Sequence, residues 1–157
     1  MRTVAAVLLL VAALSLVALP CWAESAVKVT GGVAWLRTEG GVEHTCWAEF
    51  SAHADAADRP AKGWVRYRED SGNYFVVDVM CVNHYEQHAV IAGPIVKTNS
   101  DEWQDRWLQI WVFDGGTPGS EGDRVGGEMY DRDPGCDMTV QPPEWWDVTN
   151  GNLVVHF

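Results

Sequence analysis

The sequence predicts an all-β protein, an antiparallel β-sandwich of Ig-like or jelly-roll-like type with about seven or eight strands. Two observations support this fold class: short runs that alternate apolar and polar residues or are continuously β-branched, and intervening stretches rich in Gly, Asp, Pro and Asn. A third observation, an apolar leader at the N-terminus, indicates that the protein is exported. We therefore expect a signal peptide over residues 1–23 and one secreted domain over residues 24–157.

The leader has the three parts of a secretory signal peptide. Arg2 supplies the positive start, Val4–Leu19 is uncharged, and Pro20 precedes Cys21-Trp22-Ala23, which offers small residues where a signal peptidase cleaves. The alternatives are a retained membrane anchor, for which about 16 apolar residues are few, and lipidation at Cys21. Cleavage after Ala23 predicts a protein that is secreted, extracellular or held in the cell envelope, with no membrane insertion of the mature chain.

Strand signals continue through the mature chain. Along Gly63–Arg68, Trp64, Arg66 and Arg68 share one face, and Val65 and Tyr67 the other. Asn83–His88 is typical of a hairpin turn between two strands. The predicted strands are Val27–Leu36, Thr45–Ala52, Gly63–Arg68, Tyr74–Val82, Ala89–Val96, Trp107–Phe113, Arg124–Tyr130 and Asn152–Phe157.

One segment is compatible with two structures. In Asp101–Trp111, Trp103, Trp107 and Trp111 recur every four residues, which suits a helix. Its second half also alternates, and Trp and Ile favour strands, so a strand is the preferred interpretation there.

Three cysteines, Cys46, Cys81 and Cys136, follow the leader. In an oxidising compartment one disulfide is expected, and three pairings are possible. Cys46 alternates in phase with Ala48 and Phe50, a pattern that favours a buried thiol. We therefore predict a disulfide between Cys81 and Cys136.

The charge of the mature chain disfavours two classes of partner. The leader holds one of the 11 basic residues and none of the 22 acidic ones, so the formal charge after cleavage is −12. An acidic surface repels phosphate backbones and anionic headgroups, so we expect no nucleic acid and no anionic membrane as a partner.

A series of short segments covers nearly the whole mature chain. They are Val29–Gly32, Cys46–Ala52, Lys62-Gly63-Trp64, Val79–Val82 with Ala89–Gly93, Asp114–Gly119 and Gly151–His156. In order and spacing this series resembles small secreted prokaryotic β-domains of the post-COAP type. The resemblance implies a β-sandwich and implies no established activity.

Two patterns suggest metal ligands. Cys81, His84 and His88 have a zinc-like spacing, but Cys81 has the competing disulfide assignment and ordinary hairpin residues are the preferred interpretation. The acidic turns offer oxygen ligands for calcium at Asp114, Glu121 and Asp123. Asp is also a common turn residue, so a cofactor is not expected, with calcium the open alternative.

Tryptophan is abundant, since eight of the nine tryptophans follow the leader. Exposed indoles bind sugar rings, whereas most Trp side chains in proteins are largely buried. Trp145 and Trp146 adjoin two prolines, and Trp111 lies on a predicted strand. These three are the candidate ligand-binding residues, and an extracellular glycan or an envelope protein is the corresponding partner.

Catalytic motifs are not evident: the sequence contains no Gly-x-Ser-x-Gly elbow, no His-Glu-x-x-His and no phosphate-binding glycine loop. The sequence therefore predicts a non-catalytic secreted binding or surface-structural module. The alternatives are a carbohydrate-binding domain that uses its tryptophans and a small secreted hydrolase.

Overall fold

The computed structural model describes residues 26–55, 60–116 and 119–157, which contain nine β-strands and one 3₁₀-helix at Asp101–Trp103. The predicted signal peptide lies outside the described residues. The strands are β1 (Val27–Glu39), β2 (Val42–Ala54), β3 (Lys62–Glu69), β4 (Tyr74–Asp78), β5 (Cys81–Tyr85), β6 (His88–Thr98), β7 (Trp107–Phe113), β8 (Arg124–Tyr130) and β9 (Trp146–His156).

The predicted β-sandwich is wrong, because the sheet closes on itself into an antiparallel barrel. The strand order is β4-β3-β2-β1-β9-β8-β7-β6, and β4 also pairs with β6, which closes an eight-stranded barrel within the described residues. Strand β5 pairs with β6 outside this ring. Closure removes the two free edges that each sheet of a sandwich would leave unpaired.

Close strand approaches allow this closure. At the β1–β9 pairing, a Cβ on Gly31 would overlap the Asn152 carbonyl, and one on Gly151 would overlap the Gly32 carbonyl. Both glycines have positive φ (148° and 107°), which side chains disfavour. Bulges after Ala34 and Val76 add local bending. The long strands can therefore coil enough to complete a ring instead of stacking as two sheets.

Most predicted strands are confirmed, with three local differences. The last strand, β9, begins at Trp146, before the predicted start at Asn152. The run Tyr74–Val82 is divided into β4 and β5, because β4 pairs with β3 and β5 pairs with β6 after the hairpin turn at Glu86-Gln87. The ambiguous segment begins as the short 3₁₀-helix and continues as strand β7.

The barrel interior changes in character along its axis. One end is filled by aliphatic side chains, including Val27, Val29, Ala54, Val112 and Val155. Cys46 is a free, buried thiol on the inner face of β2, as predicted. The opposite end, where β1 and β3 finish and β7 begins, carries aromatic rings instead.

The loop from β8 to β9 covers part of the outer surface. Its Cys136 forms the predicted disulfide with Cys81 (S–S 2.07 Å). The indole N–H of Trp111 donates to the Val140 carbonyl, and the amide of Gln109 donates to the Gly135 carbonyl. Outward-facing residues of β7 are therefore buried beneath this loop. Across the described ranges, no helix has the length and apolar character needed to cross a bilayer.

Candidate functional site

A cavity of about 410 Å³ opens at the aromatic end of the barrel. Its walls come from β1, β2, β3, β4, β7, β8 and β9, together with the 3₁₀-helix and the turn between β3 and β4. An eight-stranded barrel has an interior just large enough for side chains or for one small ligand. The mouths of such barrels are common ligand sites.

Five connected aromatic rings line this cavity. Trp146 stacks on Trp35 with centroids 6.2 Å apart, and Trp35 lies 5.9 Å from Tyr67. Tyr67 stacks on Phe75 at 4.6 Å, and the Trp103 ring lies nearly perpendicular to both, with interplanar angles of 72° and 84°. Period-two alternation directs Trp35, Tyr67 and Phe75 inward, and the 3₁₀-helix places Trp103 over the opening.

A charged pair lies beside the rings. The Glu69 side chain is only 4% exposed, and its Oε2 is 3.7 Å from Nη2 of Arg37. The same guanidinium nitrogen donates to Glu39 Oε2 at 2.6 Å. Burying a carboxylate in an apolar setting is costly unless it is paired and hydrogen-bonded. Burial of Glu69 therefore lowers the stability of the fold unless another group pairs with its carboxylate.

Residues that line the cavity also hold buried polar atoms without partners in the described part of the chain. Five such side-chain atoms exist within the described residues, and four of them belong to residues that line this cavity. Most buried polar groups in folded proteins are hydrogen-bonded, so such a cluster is unusual. The four are the indole N–H groups of Trp35 and Trp146, Arg37 Nε and Glu69 Oε1.

Space for a ligand comes partly from glycine. Gly127 on β8 lies opposite Ile110 of β7, and a Cβ there would meet Ile110 and Leu108 side chains at 3.8 and 4.0 Å. Leu108 and Ile110 are inward-facing core residues, so Gly127 also faces the interior. Its missing side chain leaves this wall of the cavity open.

Tyr67 forms part of the wall and is itself held by the core. Its hydroxyl donates to Cys46 Sγ at 3.2 Å. Burial is the main cause that raises the pKa of both the Tyr67 hydroxyl and the Cys46 thiol. Both groups are therefore neutral at physiological pH, and they position a ring of the cavity instead of acting as reactive groups.

The three predicted ligand-binding tryptophans do not lie on one surface. Trp146 lines the interior cavity, whereas Trp145 and Trp111 line a groove outside the barrel. Trp111 is 2% exposed, and the Arg124 guanidinium lies 5.2 Å from the Trp145 ring centroid. Adjacent residues of the extended chain thus point to opposite sides. A glycan-binding platform made of these indoles stays a prediction.

Two of the predicted calcium ligands bind backbone amides. Both carboxylate oxygens of the buried Asp123 accept hydrogen bonds, Oδ1 from Gly115 N–H and Oδ2 from Leu153 N–H. Asp114 accepts from Gly116 and Val155 in the same way. Glu121 is an exposed residue of the same turn region. Strand β8 pairs with only the first residues of β9, so the two aspartates supply acceptors where that ladder ends.

The zinc-like pattern is not assembled into a site. Cys81 is in the disulfide, the His84 ring stacks on Phe157, and the His88 ring packs against Phe113. Among the residues that the structure describes, no group of three or more His, Cys, Asp or Glu side chains is placed to hold a metal ion.

Of the cavity residues, the sequence singled out Trp146 as a candidate ligand-binding residue but did not identify the charged pair, although a signal for that pair was present. Arg37 continues the inward series of Val33 and Trp35, and Glu69 continues that of Val65 and Tyr67. A charged residue in phase with a buried face marks a polar group inside the fold.

Comparison with family models, with curated proteins and with solved structures finds no match to this chain. The resemblance to post-COAP-type domains therefore stays a prediction, and the sandwich that it implies is replaced by the closed barrel.

Proposed function

We propose that this protein is a non-catalytic binding module, secreted or held in the cell envelope, that takes up a small organic molecule in the open end of its barrel. The disulfide and the predicted signal peptide support the location. The cavity supports the activity, because it combines apolar rings with a few polar groups, as small-molecule sites do.

The unpartnered polar atoms carry this proposal. A buried polar atom without a hydrogen bond costs about 1–3 kcal/mol. Four such atoms around one cavity make an arrangement that a ligand with complementary groups would stabilise. An interior that serves only as a core pairs nearly all of its buried polar atoms.

A cavity-filling substitution tests the proposal. In Gly127→Leu the added side chain extends from the inner face of β8, and the position has no positive φ that would strain it. We expect wild-type protein to bind the neutral dye N-phenyl-1-naphthylamine with increased dye fluorescence. The variant should lose at least tenfold in affinity, because the added volume occupies the site.

The matched control is Gly32→Leu. Gly32 also lies in a strand without positive φ, and a Cβ there would meet only Glu49 Cγ at 4.0 Å, on the outer surface. This variant should bind the dye as wild type does. Equal dye binding by Gly127→Leu, with an unchanged circular dichroism spectrum, would contradict the proposed site.

A further inference from the structure

The charges around the cavity distinguish between classes of ligand. Glu39, Glu69 and Glu102 are lining residues that carry carboxylates, whereas Arg37 carries the only guanidinium or ammonium group among the lining residues. A fourth lining glutamate, Glu128, alternates with the inward-facing Gly127, and its carboxylate accepts a hydrogen bond from the Tyr130 hydroxyl on the outer face. The imidazole of His44 is already engaged, since Nδ1 lies 3.0 Å from Asp70 Oδ1. The negative excess disfavours an anionic ligand and attracts a cation.

The aromatic rings of the cavity also favour a cationic ligand. Aromatic faces carry negative charge density, and organic cations bind over them, most favourably over Trp. Trp35, Trp103 and Trp146 contribute three indoles to the cavity, and Tyr67 and Phe75 complete the enclosure. The same rings also receive the apolar body of a ligand.

Glu69 provides a specific partner inside this enclosure. Arg37 directs its shortest ion pair to Glu39 at 2.6 Å and is 3.7 Å from Glu69. Among the residues that the structure describes, Oε1 of Glu69 has no hydrogen-bond partner. An ammonium group supplies both the positive charge and the N–H donors that this oxygen lacks.

We infer that the ligand is an amine, a small organic cation with an apolar or aromatic body, whose ammonium group binds Glu69 within the aromatic enclosure. This inference rests on the proposed function and specifies its ligand class. The other three unpartnered atoms are donors, namely the indole N–H groups of Trp35 and Trp146 and Nε–H of Arg37, and they would suit an acceptor such as a hydroxyl on the same molecule.

Three probes of similar size and different charge test the inference by isothermal titration calorimetry: 2-phenylethylamine, 2-phenylethanol and phenylacetate. We expect wild-type protein to bind the amine at least tenfold more tightly than the alcohol, and phenylacetate most weakly. In Glu69→Gln this preference should fall to about twofold or less, while the alcohol binds as before. Exposed Glu49 on the outer face of β2 provides the control, because Glu49→Gln should keep the full preference.

The outcomes separate the two proposals. Equal or tighter binding of the alcohol or the acid by wild-type protein overturns the amine inference and leaves the proposed cavity standing. If neither these probes nor the neutral dye binds, the proposed function itself fails. Should Glu69→Gln not fold, the wild-type ranking together with Glu102→Gln decides the question, since removing this rim carboxylate should reduce the amine preference about twofold or more.

Discussion

At the scale of single residues, buried carboxylates have two different roles in this barrel. Asp123 is fully satisfied, because both of its oxygens accept backbone N–H groups. Within the described residues, Oε1 of Glu69 has no hydrogen-bond partner, and Oε2 lies 3.7 Å from the Arg37 guanidinium. The first arrangement stabilises the fold, and the second is the kind that a ligand completes.

The role of Asp123 gives a first prediction. Asp123→Ala should lower the free energy of unfolding by about 2–4 kcal/mol, because it leaves the amides of Gly115 and Leu153 without acceptors. Chemical denaturation measures the change. The exposed Asp133, which accepts a hydrogen bond from the Gly135 N–H, is the control, and Asp133→Ala should have a smaller effect.

Calcium addition distinguishes this structural role from the calcium site that the sequence suggested. If Asp114 and Asp123 serve the backbone alone, the melting temperature is the same in calcium and in chelator. A higher melting temperature with calcium would instead support the calcium site at Asp114, Glu121 and Asp123.

At the scale of elements, turns are fastened to neighbouring strands by side chains. Asp70, in the turn between β3 and β4, accepts hydrogen bonds from the Thr45 backbone N–H at 2.9 Å and from the His44 ring at 3.0 Å. These bonds, the Thr45 one first, lower the pKa of Asp70 below its ordinary value of 3.8. The turn is thereby tied to the start of β2, at the rim of the cavity.

The lowered pKa predicts a pH dependence. Because the folded-state pKa lies below the unfolded one, Asp70 stabilises the protein fully above about pH 4 and loses this contribution as pH falls through the folded value. Asp70→Asn should therefore lower the urea midpoint at pH 7, and the two midpoints should converge as the pH falls below the folded-state pKa of Asp70. Asp78→Asn, exposed on β4, controls for the loss of one charge. A constant difference between wild type and Asp70→Asn at every pH would contradict this role.

At the scale of the whole molecule, the sequence predicts most of the strands but does not predict that they close into a barrel. The alternation of apolar and polar residues identifies β2 and β3, because successive side chains of one strand point to opposite faces of the sheet. Closure of the barrel depends on the pairing of β1 with β9 and of β4 with β6. The pattern of apolar residues within one strand does not indicate which distant strand it pairs with. The cavity follows from closure, since Arg37, Glu69, Trp103 and Trp146 meet only when the ring is complete.

Neighbouring strands of the barrel differ in how many residues they pair, and this difference predicts where the barrel opens locally. Strands β1 and β2 pair along their full thirteen-residue length, whereas β8 and β9 pair only at Arg124–Asp147 and Val125–Trp146. Few backbone hydrogen bonds and nearby solvent lower the free energy of local opening. The β8–β9 seam adjoins the cavity through Val125 and Trp146.

Hydrogen exchange followed by mass spectrometry tests this inequality. Peptides covering residues 124–126 and 146–148 should exchange through local opening, well before those covering 46–52, which require global unfolding. Addition of 2-phenylethylamine should slow exchange at the seam more than at residues 46–52, because a ligand that binds only the closed ring stabilises it by mass action. Equal exchange at both places without ligand would show that the seam does not open separately. The barrel would then unfold as one unit.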